Sequence, residues 1–288
     1  MNILIYGIVN SVVFALMAVG FTLVYGVSRL PNFAHGGLYI LTGFIAWTFF
    51  NTVGMNYAVA IVLSLIVTAL VGAAIYQFIL IRVRGMEASE IIASFAIGLA
   101  LMEGLRWGGF IKRTYTLPVF VGGTVYIAGT PIDWQRLIII GGGLAVVAFL
   151  WLFTHYTKVG LALRAIAQDE RAAMMLGIDS DLSAVIALAL GSALAGLAAV
   201  AILPLGNISV EAGYNVLTYA IAVCIVGGLG SWPGAVMGAF VLGFAQILTV
   251  YFIGAQWQMV VVFLAIILTL ILRPSGLFGR QKELEERV

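Results

Sequence analysis

Between residues 3 and 27 the chain carries no charged side chain, and further predominantly apolar stretches recur to its end, over 33–50, 57–81, 91–107, 137–156, 183–203, 216–228, 235–253 and 257–272. A helix needs about 20 mostly apolar residues to cross the hydrocarbon of a bilayer, and in lipid it must satisfy its own backbone polar groups. The stretches lack the two-residue alternation of barrel strands, so helices are the expected form. The seventh stretch is short and the second begins abruptly, which gives eight or nine spans. The first is too long for a signal-peptide core and is expected to remain as a span. The fold expected is an all-α, polytopic transmembrane helical bundle with Gly/Pro-broken helices, one membrane domain over 1–288. Composition excludes the alternatives: 63% of residues are hydrophobic and 9% charged, against the quarter or so of a soluble domain. A soluble enzyme and a nucleic-acid binder are ruled out. A single cysteine, Cys224, rules out an internal disulfide and a thiolate metal cluster.

Lysine and arginine mark the cytoplasmic side of a membrane protein. Here one side receives Arg29, Arg82, Arg84, Lys158, Arg164, Arg171, Arg273, Arg280, Lys282 and Arg287, and the other Arg106, Lys112, Arg113 and Arg136. The first side is expected to be cytoplasmic, with the N-terminus outside and the C-terminal tail, 273–288, inside. The outer loop, 108–135, contains Pro118, Gly122, Gly123, Tyr126, Gly129 and Pro131 and reads as turns and short extended pieces. The inner loop, 158–181, reads as a helix over 160–176 ended by Gly177. Arg164, Gln168 and Arg171 form a polar stripe at i, i+4 and i+7, opposite Ala162, Ile166, Ala173 and Leu176. Such a helix suits a membrane surface or a partner's groove.

Two Gly/Pro-rich interruptions, 28–37 and 227–234, each precede an apolar span. They contain Gly36 and Gly37, and Gly227, Gly228, Gly230 and Gly234. Interrupted helices in the two halves of a transporter point to its substrate path, because they expose backbone dipoles to a cavity; tight turns between helices give the same pattern. Asn32 and His35 at the first break, and Glu211 and Asn215 ahead of the seventh span, are the polar groups placed to line or gate such a path, while Glu103 and Arg106 have the spacing of a mutual ion pair.

Several chemistries lack their residues. Lys112, Lys158 and Lys282 follow Ile111, Thr157 and Gln281 rather than the glycine of a phosphate-binding loop, so this chain holds no ATP or other cofactor of its own. No H-E-x-x-H or G-x-S-x-G run occurs, leaving no metal site and no catalytic residue, hence no enzyme. The span interiors are almost free of ionisable groups, which favours an energy source on another chain. A stand-alone sodium-coupled carrier is the alternative, since sodium can be held by carbonyl and hydroxyl oxygens.

Five segments in order resemble the membrane permeases of branched-chain amino acid ABC importers, of the LivH type. They are Gly-Phe-Thr-Leu-Val-Tyr-Gly-Val from Gly20, Asn-Phe-Ala-His-Gly from Asn32, Gly-Leu-Ala-Leu-Arg-Ala-Ile-Ala-Gln-Asp from Gly160 with Gly177, Gly-Gly-Leu-Gly-Ser-Trp-Pro-Gly-Ala from Gly227, and Arg-Pro-Ser-Gly-Leu-Phe-Gly from Arg273. The resemblance implies import of branched-chain or other small neutral amino acids across the bacterial inner membrane; related permeases carry urea and short amides. It implies a second, related permease, two cytoplasmic ATPase subunits that bind ATP and Mg, and a periplasmic amino-acid-binding protein. It makes the inner helix the coupling helix, through Arg164, Gln168, Asp169, Glu170, Arg171 and Gly177. The importer signature E-A-A-x-x-x-G is met at Ala172, Ala173 and Gly177, while Arg171 stands at the glutamate position and Glu170 one residue before it.

Overall fold

The computed structural model describes residues 2–29, 31–110, 115–127 and 130–279. Lys112, Arg113 and Gly129 of the outer loop, and Arg280, Lys282 and Arg287 of the tail, lie outside the described residues. The helices are α1 (Asn2–Ser28), α2 (His35–Trp47), α3 (Tyr57–Ile75), the single turn α4 (Ile81–Val83), α5 (Glu87–Leu105), α6 (Trp134–Tyr156), α7 (Lys158–Gln168), α8 (Glu170–Met175), α9 (Ser180–Ile202), α10 (Val210–Gly227), α11 (Trp232–Phe252) and α12 (Gln258–Leu272). Wide π turns prolong α2, α3 and α5. Before α6, β1 (Thr124–Ile127) pairs antiparallel with β2 (Thr130–Asp133), the extended piece expected in the outer loop.

Among the described residues eight helices are long and apolar enough to cross a membrane, and α2 is not one of them. It is instead the buried centre of the bundle, packed on α3, α5, α9 and α10, and its abrupt start has a structural cause. The chain between α1 and α2 turns back into the bundle. The Phe33 amide donates to Ser94 Oγ at 3.3 Å, and the His35 ring meets the Met17 carbonyl at 2.9 Å. Met17 lies eleven residues before the end of α1, about 17 Å along a helix rising 1.5 Å per residue. The second apolar stretch is therefore a re-entrant segment plus a short helix, added to the eight long helices among the described residues.

Contacts sort the loops into two ends. At one, Tyr6 of α1 donates to the Pro131 carbonyl, Tyr115 pairs with Ile208, and Arg106 meets Glu211. At the other, Arg29 reaches α7, Arg84 reaches α8 and α9, and Leu277 and Phe278 bond to the Val226 and Gly227 carbonyls at 2.9 Å. Arg29, Arg84, Lys158, Arg164, Arg171 and Arg273 thus share an end opposite Arg106 and Arg136, as the charge count requires. Between the ends, small residues let backbones approach, which is how helices associate where lipid is as apolar as leucine. A Cβ on Gly20 would lie 2.6 Å from the Gly191 carbonyl, where α1 crosses α9.

Candidate functional site

The amphipathic inner loop, expected as one helix over 160–176, is two. Asp169 leaves the helical path at φ −150° and ψ 107° and caps α8 with its own carboxylate, which accepts from the Ala172 amide at 3.1 Å. A short acidic side chain that satisfies helix donors from a non-helical backbone is a stronger signal than the apolar periodicity running through it. The stripe expected across Arg164, Gln168 and Arg171 is accordingly broken after Gln168. Thr157 caps α7 in the same way, accepting from Gly160 at 2.9 Å. The loop ends as expected. The Gly177 amide donates to Met174 and the Ile178 amide to Ala173, with Gly177 at φ +84°, a Schellman close. Nothing lies within 4 Å of a Cβ added at Gly177, so only the backbone resists one. Gly177→Ala should cost about 1 kcal/mol and Gly177→Asn much less, read as thermal midpoints of the purified protein.

The apolar side of this unit rests on Val27 and Ala187 through Leu163, Ile166 and Ala173. Leu176, expected on that side, faces away: it is 82% exposed and Met175 89%, with Met174 beside them. The break at Asp169 rotates the second helix out of register with the first. Of the six coupling residues named from sequence, four have internal partners or turn roles. Asp169 is a cap and Gly177 a turn. Glu170 joins Arg84, Asp181 and Ser180 in a cluster that ties α8 to the ends of α4 and α9, with Tyr76 donating to Asp181 at 3.2 Å and Ser180 to Glu170 at 2.6 Å. The Gln168 carbonyl accepts from Arg29 at 3.2 Å. Arg164 and Arg171 have no ion-pair partner among the described residues, and Arg171 is exposed. The unit therefore presents Arg164, Arg171, Met174, Met175 and Leu176 at the basic end. Arg84 and the methionines were the residues sequence reasoning missed; a Met-Met-Leu run directly before a helix-ending glycine was the available signal.

The four polar residues assigned to a path do not come together. Asn32 is buried and its Oδ1 accepts from the Ala34 amide at 3.1 Å; His35 is 1% exposed, bonded to Met17 and edge-on to Phe21. Beside Asn32 is a space of about 20 Å³, room for one water. Both residues hold the re-entrant segment and line no open passage in this structure. Glu211 and Asn215 lie towards the opposite end, and they do not precede the seventh span: Ser209 caps α10 six residues earlier than expected, so both are helical and share one exposed face at i and i+4. Arg106 bridges Glu103 at 3.3 Å and Glu211 at 3.4 Å, adding α5 to that face.

The two breaks also differ in kind. The first opens inward to mid-bundle, while the second is a tight turn. Gly228 at φ +107° and Gly230 at φ +75° reverse the chain, Gly227 and Gly234 touch backbone to backbone, and the tail from Arg273 to Gly279 bonds across them. The larger groove, about 340 Å³ between α3, α6 and α9, is lined by Leu65, Val146, Phe149, Leu194 and other apolar side chains and offers nothing to an amino acid's charged groups. Among the described residues no three His, Cys, Asp or Glu side chains gather as metal ligands.

Comparison with known proteins adds a family to this geometry. A family described as the permease component of branched-chain amino acid transport systems matches residues 3–271. The high-affinity branched-chain amino acid transport system permease protein BraD of Pseudomonas aeruginosa is 30% identical, the match covering 96% of this chain and 95% of that one. The corresponding LivH protein of Escherichia coli K12 is 30% identical over 95% of this chain and 94% of its own. A solved structure of PsaBC from Streptococcus pneumoniae in complex with Fab has the same fold, with a TM-score of 0.53 at 14% identity over 96% of this chain and 94% of that one.

Proposed function

The chain belongs to the family of permease components of branched-chain amino acid transport systems, and on that premise we propose that it is the membrane subunit of an ATP-binding cassette importer that moves branched-chain or other small neutral amino acids into the cytoplasm. It is a multi-pass membrane transport protein and not an enzyme, as its relatives are. Two cytoplasmic ATPase subunits bind ATP with Mg and supply the energy; a second, related permease completes the pair, and a periplasmic binding protein delivers the amino acid. The basic end faces the cytoplasm of a bacterial inner membrane, with the N-terminus of α1 outside.

One observation carries the reading: a two-helix unit, anchored on α1, α4, α6 and α9, presents apolar and cationic side chains that none of the described residues covers. A protruding helix held this firmly to the spans can convert movement of a partner into movement of the bundle. The test is co-expression with the ATPases and second permease. The wild-type chain should bring both ATPase subunits through purification; recovery of the permease pair without either ATPase would reject the reading.

The path runs along the α5 and α10 face, where Glu211 and Asn215 stand exposed in the first turns of α10, at the end opposite α7 and α8. Polar side chains in such places face water or another protein rather than lipid. Asn215→Leu should lower uptake by about tenfold, the loss of about one charged-group hydrogen bond, with the complex intact. Unchanged uptake would take this face out of the path.

A further inference from the structure

Arg29 is the one non-glycine residue among the described residues with positive φ, +61°. It follows the last residue of α1, and its amide still donates to the Tyr25 carbonyl at 2.9 Å. Its guanidinium Nη2 donates to two carbonyls at the end of α7, those of Ala167 and Gln168. The last carbonyls of a helix lack partners within it, and the negative end of the helix dipole favours a cation there. Three residues on, at Asn32, the chain is buried in the bundle. Phe33 is bonded to α5, His35 to mid-α1, and Gly36 sits backbone to backbone with Gly213 of α10.

Arg29 is thus the polar joint between the exposed unit and the re-entrant segment. The other attachments of α7 and α8 lead elsewhere: Thr157 and Gly160 to α6, and the Arg84 cluster to α4 and α9. Val27 touches the unit through apolar contact alone. An arginine in a conformation that glycine adopts freely, with one guanidinium nitrogen on two helix-end carbonyls, is held there by those bonds.

We propose that Arg29 is a positioning residue that passes displacement of α7 and α8 to the re-entrant segment and the start of α2, and so sets how much amino acid is moved per ATP consumed. The inference rests on the ATPase-docking reading above. In proteoliposomes holding the complete transporter, uptake and ATP hydrolysis are measured together for wild type, Arg29→Gly and Arg29→Lys. Glycine suits φ +61° and removes only the grip; lysine keeps the charge without the fork. Arg29→Gly should hydrolyse ATP within about twofold of wild type while amino acid moved per ATP falls at least about fivefold, the lower range of inter-site coupling, and Arg29→Lys should recover part of the ratio. An unchanged ratio in Arg29→Gly would overturn the proposal. A wild-type transporter whose uptake ignores ATP would instead remove the docking reading itself. A second variant replaces the guanidinium contact with a covalent one. In Arg29→Cys/Gln168→Cys, a short bifunctional thiol reagent fixes the joint, and buried Cys224 stays out of reach. Amino acid moved per ATP should be low in the untethered chain and recover in part on tethering, because the two sites then move as one. Loss of uptake on tethering alone would overturn the proposal.

Discussion

Gly36→Val is expected to remove the folded protein from the membrane. A Cβ at Gly36 would overlap the Gly213 carbonyl and lie 3.2 Å from Leu217 Cβ, and one at Gly213 would lie 2.9 Å from the Gly36 carbonyl. Both neighbours are backbone, on two helices buried in the middle of the bundle, so neither yields by changing a rotamer. Overpacking a core typically costs about 1–3 kcal/mol, and a backbone-to-backbone contact belongs at or above the top of that range. Between lipid-embedded helices no hydrophobic gain offsets the loss, since close packing is itself the driving force. Fluorescence-detected size exclusion of a tagged chain should show at least a tenfold fall in the monodisperse peak for Gly36→Val, a smaller fall for Gly36→Ala, and no change for Gly104→Ala, where an added Cβ meets nothing within 4 Å. A wild-type peak for Gly36→Val would mean that α2 does not pass through the centre of the bundle as described.

The second large effect belongs to the exposed tip. Met175→Asp with Leu176→Asp changes side chains 89% and 82% exposed in the isolated chain, so the fold should stand while a partner's groove loses its apolar contact and receives two charges. Buried anchors at interfaces are worth about 2 kcal/mol or more each, so recovery of the ATPases with the tagged permease should fall more than about tenfold. Arg164→Glu with Arg171→Glu reverses the flanking charge and should leave insertion intact while uncoupling ATP hydrolysis from uptake. Full uptake by that double variant would remove Arg164 and Arg171 from the coupling surface.

How far the sequence reached depended on the range of the interaction. The spans were legible because hydrocarbon imposes length and apolarity locally, and the two ends were legible because cation bias is a property of whole loops. Gly177 was legible for a similar reason: a glycine after an amphipathic run has few other uses. The re-entrant start of α2 was not, since it is fixed by Ser94 and Met17, distant in sequence from Phe33 and His35. The same distance hid Arg84, whose partners Glu170 and Asp181 lie far along the chain, and Arg29, which binds carbonyls that no side-chain pattern reveals. Asp169 was visible and underweighted. An acidic residue three before Ala172 inside an apparent helix is also the start of another. The polar residues of the first break drew a functional reading because buried polar groups need partners; here the protein supplies those partners itself.

The central claim is that this chain opens a path for a small amino acid when separate ATPases move the unit formed by α7 and α8. Proteoliposomes containing the purified transporter, with binding protein and radiolabelled leucine on the side opposite α7 and α8, test it most directly. Uptake should require ATP on the α7 and α8 side and cease with the Met175→Asp/Leu176→Asp chain. Uptake by the chain alone, driven by a sodium gradient without ATPases, would contradict it.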